Sequence, residues 1–164
     1  MTVRPARFVE VPAMVALLEE HYPQTRYAGV VEMDADFARK LLAQIVHRHG
    51  GEHAGATCCF VAERGGELVG FIAGQLDRVY GVGAKLSAHD IFLVARKDSH
   101  AVSLPLIKAY RDWAFASPKI FEVYLTHSDV LPGWERLAAI YSKLGFVKSG
   151  EAWRMTASKE AMAA

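Results

Sequence analysis

The sequence is short of the residues that would commit it to an unusual environment. Its 164 residues hold two cysteines, the neighbours Cys58 and Cys59. Adjacent residues in a strand point to opposite faces, so this pair is badly placed to bond to itself or to grip one metal. Cysteine use of that kind belongs to a reducing compartment. Charge of one sign is also lacking, with 19 Lys and Arg against 18 Asp and Glu, a formal net charge of +1. Such a balance provides no field to recruit nucleic acid or an anionic membrane. No apolar run approaches the roughly 18 residues that a membrane span needs. The opening Met1-Thr2-Val3-Arg4-Pro5 has no apolar signal core. The expectation is a cytoplasmic protein with neither membrane nor nucleic acid as partner.

What is present suits one packed domain. The chain is 52% hydrophobic, with 8 Phe, 6 Tyr and 3 Trp, so a substantial core is within reach. A chain of this length buries roughly 70% of its unfolded surface. One domain over residues 1–155 is expected, with an Ala-rich tail at 156–164 that frays. There is no internal repeat and no low-complexity segment.

Periodicity sets the element order. Val3 to Ala6 reads as a short extended start. Val11, Met14, Val15, Leu18 and Tyr22 then recur at helical spacing. Asp34 or Asp36 caps a second helix whose apolar side carries Phe37, Leu41 and Ile45, with Leu42 beside them, and Gly50-Gly51 ends it. Thr57–Arg64 and Glu67–Leu76 read as strands, and the two glycines between them make a strong hairpin signal, because primed turns need positive φ. Another strand spans about Leu86–Val94. The polar loop Ala95–Val102 leads to a helix over Ser103–Ser117, with Ser103 as its cap. Ile120–Thr126 returns as a strand. Trp134, Leu137, Ala138, Tyr141 and Leu144 form a last helical face closed by Gly145, and Phe146–Met155 reads as a final strand. The unit from Asp90 to Thr126 is a strand-helix-strand crossover, which pairs its strands parallel. The fold class is α/β (α+β): a mixed, mostly antiparallel sheet of six to seven strands with helices on both faces.

The segment Tyr141-Ser142-Lys143-Leu144-Gly145-Phe146, closing a helix and feeding an extended run, resembles the closing motif of the GCN5-related N-acetyltransferases. The preceding Phe60-to-Phe71 hairpin, strand, loop and helix stand in the same order. The resemblance covers residues 57–150 by motif and order, and the first two helices by order only. It implies transfer of an acetyl group from acetyl-CoA to an amine, without a metal, by a protein that is often a homodimer. Such a fold also persists as a non-catalytic CoA-binding or protein-interaction module, which is the alternative.

The chemistry accounts for the residue types. A neutral amine attacks the thioester, and the departing sulfur leaves more readily if a phenol supplies a proton. By resemblance, Tyr141 is that acid; core packing is its other reading. The arriving ammonium needs a base, for which Asp90 is the first choice, with His89 and His127 behind it. Alternation puts His89 and Asp90 on opposite faces. By the same resemblance, the backbone of Phe92, Leu93 and Val94 pairs with the pantetheine arm like an added strand. The pyrophosphate falls to the loop with Ser99, His100, Ala101, Val102 and Ser103, with Arg96 and Lys97 as further donors and Lys143 near the phosphates. The family's glycine-rich loop pattern is missing here, since Arg96 to Ser103 contains no glycine. Tyr22, Arg26 and Tyr27 are placed on the acceptor wall, or else anchor a half-buried turn. His47, His49 and His53 match no common zinc spacing.

Overall fold

The computed structural model describes residues 1–157, apart from the side chain of His100; residues 158–164 of the expected tail lie outside the described residues. Five strands form one sheet in the order β1 (Thr2–Pro5), β2 (Thr57–Arg64), β3 (Glu67–Arg78), β4 (Leu86–Ala95), β5 (Ile120–Tyr124). All neighbouring strands pair antiparallel except β4 and β5, which are parallel. Four helices accompany them: α1 (Val11–His21), α2 (Ala35–His47), α3 (Ser103–Phe115) and α4 (Glu135–Lys143). Among the described residues, no helix is long and apolar enough to cross a membrane.

The β2–β3 hairpin turns on Gly65 and Gly66, both with positive φ (60° and 86°). The sheet then separates two cores. On one face Cys58, Ile72, Leu76 and Ala88 pack under Leu106, Ile107 and Tyr110 of α3 and Tyr141 of α4. On the other, Cys59, Val61, Phe71 and Ala73 pack under Met14 and Val15 of α1 and Leu42 and Ile45 of α2. Cys58 and Cys59 thus enter opposite cores, both fully buried, and burial pushes the Cys59 thiol up to about 12 and raises that of Cys58 as well. Neither thiol is reactive in this state.

Two bulges adjust the faces. Gly70 pairs with Ala62 while Leu68 pairs with Glu63, which leaves Val69 as an extra residue in β3. Ala73 pairs with Phe92 while Gly74 pairs with Asp90, so Ile91 is the extra residue in β4. Gly74 is required at this point for space. A Cβ there would lie 2.5 Å from Cε2 of Tyr110 and 2.9 Å from the His89 carbonyl oxygen.

Four expectations need correction. The sheet has five strands among the described residues, not six or seven, because 146–155 forms no strand. Phe146 packs against the core, whereas Val147, Trp153 and Met155 are 85%, 91% and 97% exposed, so nothing anchors the segment beside β5. A strand needs a partner edge and a face to bury, and alternation alone supplies neither. In α2, Asp34 is the cap, its carboxylate accepting from the Phe37 amide at 2.8 Å. Packing on the sheet turns Ala38, Leu42 and Ile45 inward and leaves Phe37 62% exposed. Ser103 does not cap α3, because a 3-10 turn over His100–Val102 carries the chain into the helix. That helix ends at Phe115, short of Ser117.

His49 is committed to structure: its Nδ1 accepts the Cys59 amide at 3.0 Å, and burial holds its pKa below the ordinary 6.5. The folded state therefore binds fewer protons than the unfolded state as His49 titrates. Its contribution is intact above about pH 6.5 and declines as pH falls toward the lower folded value. Burial shifts His21 in the same direction. Thermal melting from pH 7 to pH 5 should show falling stability, with a shallower slope in His49→Gln; equal slopes would contradict the assignment. Gly74→Ala should cost about 1–3 kcal/mol in urea unfolding, from overpacking against Tyr110.

Candidate active site

The parallel ladder between β4 and β5 is short. It runs from Leu86 opposite Ile120 to His89 opposite Tyr124 and stops there. Beyond that point β4 continues to Ala95, paired with β3 alone among the described residues. The next amide available to continue the ladder is diverted to a side chain. Asp90 Oδ1 accepts both the Thr126 N–H and the Thr126 hydroxyl, each at 2.8 Å. A carboxylate thus stands where a strand-to-strand bond would have formed, and the strands part. The Phe92–Val94 backbone is left with open polar groups on its β5 side, which buried backbone does not tolerate without a partner. An extended ligand with amide groups meets that need, as an added strand would.

The third member of this brace comes from α4. The Tyr141 hydroxyl donates to the Thr126 carbonyl at 3.1 Å, and the side chain is nearly buried. Its position is fixed by the way α4 ends. The Phe146 amide donates to the Tyr141 carbonyl at 3.0 Å and the Gly145 amide to the Ser142 carbonyl at 3.1 Å, with Gly145 at φ 87°. This pair of bonds is a Schellman cap, and the Tyr141 and Phe146 rings, 6.1 Å apart, make its hydrophobic contact. Capping explains the glycine, the phenylalanine and a large apolar group at 141. It does not explain the hydroxyl, which Thr126 does. Thr126 itself escaped the sequence reading, because a threonine just past a strand carries no motif.

Burial raises the Tyr141 pKa above the ordinary phenol value, and the charge of Asp90 raises it further. Burial also raises Asp90, although its two bonds from Thr126 and the charge of His89 pull the other way. The site therefore offers a phenol that keeps its proton throughout the neutral range and a carboxylate more basic than one in water. His127 borders the pair, with its ring 6.0 Å from that of Tyr141 and its Nε2 3.1 Å from the Trp134 carbonyl oxygen. His89 lies on the other face of the sheet, as alternation requires, and is stacked on Tyr124.

Side chains of the expected cofactor residues mostly face inward. Phe92 and Val94 belong to the α1–α2 core and Leu93 to the α3 core, so these three present backbone only. Val102 is fully buried, and it lies close to Gly70, where a Cβ would come within 3.1 Å of its Cγ1. The loop has no glycine of its own, and Gly70 across the sheet lets it settle. Ser99 is also buried, its hydroxyl donating to Asp98 at 3.1 Å and accepting from Arg64 at 3.4 Å. The Ser99 and Val102 amides are spent on the Arg96 and Ser99 carbonyls. Arg96 is turned toward Glu67 and Glu20, at 3.0 and 3.6 Å, so its charge is answered within the protein. Ala101 is exposed, Ser103 is half-buried at the uncapped start of α3, and Lys143 is exposed on the last turn of α4. The His100 side chain lies outside the described residues.

The segment with Tyr22, Arg26 and Tyr27 docks beside the β5–α4 loop. The Arg26 amide donates to the Val130 carbonyl at 2.9 Å, and its guanidinium reaches Asp129 at 3.6 Å. That guanidinium also bonds the Tyr27 hydroxyl at 2.7 Å, while the Tyr22 hydroxyl donates to Val31. These residues wall the region beyond Thr126.

No family model matches the sequence, and comparison with curated proteins finds no match. Solved structures do match. An aminoglycoside acetyltransferase from an uncultured soil metagenomic sample aligns over 96% of this chain and 98% of its own, at 18% identity and TM-score 0.64. The ribosomal-protein-alanine N-acetyltransferase of Brucella melitensis aligns over 95% and 99%, at 14% identity and TM-score 0.65. The glucosamine-6-phosphate N-acetyltransferase of Arabidopsis thaliana aligns over 96% and 97%, at 11% identity and TM-score 0.65. These alignments run over nearly the whole of each chain and show the fold: the chain has the fold of the GCN5-related N-acetyltransferases.

Proposed function

We propose that this protein transfers an acetyl group from acetyl-CoA to an amine. The observation that carries the reading is the Asp90–Thr126–Tyr141 brace, which parts β4 from β5 and sets a phenol and a carboxylate beside the open β4 edge. The pantetheine arm would add to that edge along Phe92–Val94. Its phosphates would lie at the start of α3, against the amide of Ala101 and the helix dipole, with Lys143 as the nearby cation of choice. The Ser99 and Val102 contribution is then to shape the turn.

In this reading the carboxylate of Asp90, raised by burial, takes the acceptor's proton directly or through water. The amine nitrogen bonds to the thioester carbon, the carbon–sulfur bond breaks, and the sulfur leaves with its charge. Tyr141 redirects its O–H from the Thr126 carbonyl to that sulfur. Because its pKa is raised, the phenol stabilises the thiolate chiefly by a strong hydrogen bond and releases its proton only as the sulfur takes full charge. Tyr22, Arg26 and Tyr27 would line the acceptor's approach. A CoA-binding or interaction module without chemistry would keep the fold and use the Tyr141 hydroxyl only for its bond to Thr126.

Tyr141→Phe should lower kcat about 100-fold or more, with KM for acetyl-CoA little changed. Loss of one hydrogen bond to Thr126 should cost only about 1 kcal/mol of stability, so melting curves separate the two effects. Unchanged turnover would remove Tyr141 from the mechanism. Acetyl-CoA at about 100 times its Kd should add about 2.7 kcal/mol of stability, read as a rise in Tm. No rise at millimolar acetyl-CoA would favour the non-catalytic module.

A further inference from the structure

Helices α1 and α2 cover the sheet face over β2, β3 and the far half of β4, but leave it bare over the near half of β4 and over β5. That bare area forms a cleft of about 450 Å³. Two cross-strand rows make its floor. Gln75, His89 and Tyr124 form one, of which His89 and Tyr124 line the cleft, and Asp77, Ser87 and Glu122 form the other, two residues further from the slot. All six alternate with core residues such as Leu76 and Ala88, so all six face the cleft side.

The floor is ordered. The His89 ring stacks on Tyr124 at 4.7 Å and 7°, and its Nε2 lies 2.8 Å from Ser87 Oγ. Tyr80, 96% exposed, stands at the rim. Asp77 receives a Gln75 side-chain N–H at 2.8 Å, and Glu122 sits against the Tyr124 hydroxyl, raising that phenol's pKa. No Lys or Arg bridges Asp77 or Glu122 among the described residues. This differs from the α1 side, where Arg4 and Arg7 answer Glu10 and Glu63, and Arg96 answers Glu20 and Glu67. Among the described residues, Arg78 is the one Lys or Arg that lines the cleft, and its guanidinium is tied to the Gly83 carbonyl at 3.0 Å.

The cleft also lies in a useful place. His89 opposite Tyr124 is the last rung of the β4–β5 ladder, so the cleft ends where the slot opens. The Asp77–Ser87–Glu122 row lies about 7 Å behind that rung at strand rise, within reach of the far end of a linear diamine.

We propose that this cleft holds a second positive charge of the acceptor, which makes the acceptor an aliphatic di- or polyamine. The reacting amine enters the slot, a distal ammonium lies between Asp77 and Glu122, and the methylenes run along the stacked His89 and Tyr124 rings, where the aromatic faces also attract the cation. The inference rests on the acetyl-transfer reading, and its test is built to fail separately.

The full-length protein is assayed for CoA release with acetyl-CoA and three acceptors of matched chain: a linear diamine, the corresponding monoamine, and lysine. The diamine should exceed the monoamine about ten-fold in kcat/KM. In Glu122→Gln and Asp77→Asn that ratio should fall toward one, a readout indifferent to a general loss of activity. A ratio near one in the unmodified protein, or a ratio the variants leave alone, would overturn the inference and leave acetyl transfer standing. Preference for lysine over the diamine would overturn it in favour of an acceptor whose carboxylate meets Arg78. If no amine is turned over, the enzyme reading falls, and calorimetric titration with the diamine alone decides the cleft: binding lost in Glu122→Gln and Asp77→Asn upholds it, and no binding to the unmodified protein ends it.

Discussion

Backbone hydrogen bonding between β4 and β5 governs the molecule, through the point at which it stops. Leaving peptide groups of a strand unpaired is costly, so a sheet does not part without something to take over the released partners. Here the Asp90 carboxylate takes the Thr126 amide and hydroxyl, and the Tyr141 hydroxyl takes the Thr126 carbonyl. With Thr126 satisfied by side chains, the strands diverge at little cost, and the β4 edge keeps its polar groups for a ligand. The same three residues that open the sheet supply the phenol and the carboxylate.

Close backbone approach supports that opening from both sides. Gly74 lets Tyr110 lie flat on the sheet beneath Asp90, and Gly70 lets Val102 seat the turn that starts α3. The Ile91 bulge changes the side to which the later β4 residues point, so Asp90 faces the α3–α4 side while Phe92, two residues on, enters the α1–α2 core. A net charge of +1 conceals a local division: carboxylates on the α1 side are matched by arginine, and those of the cleft are not. An anionic cosubstrate would be held by a few amides at one helix start, not by the field of the whole protein.

Much of this was legible in the sequence. The glycine pair placed the β2–β3 hairpin, the apolar spacing placed all four helices, and the crossover rule made β4 and β5 parallel. Tyr141 stood out because the segment Tyr141 to Phe146 resembles a known closing motif; the Schellman cap that the structure shows there is local chemistry of the kind adjacent residues carry. Asp90 was singled out as a base; its grip on Thr126 was not foreseeable, since the partners are 36 residues apart. Arg96 was named as an anion donor; that Glu20 and Glu67 converge on it could not be read from the sequence. The expected strand at 146–155 failed for a related reason. The segment was read as a strand, but among the described residues it pairs with no edge.

By itself, then, the sequence determined whatever depends on neighbours in the chain: turns that need positive φ, the glycine that closes α4, and the placing of Cys58 and Cys59 on opposite faces of a strand. Tertiary structure decided the rest, namely where the ladder ends, which amides of the glycine-free loop stay open, and which carboxylates find an arginine. The division has a physical cause. Local geometry is set by torsional preferences and short-range hydrogen bonds, while a site is made of groups that only packing brings together, and its chemistry comes from the partners each of those groups has lost.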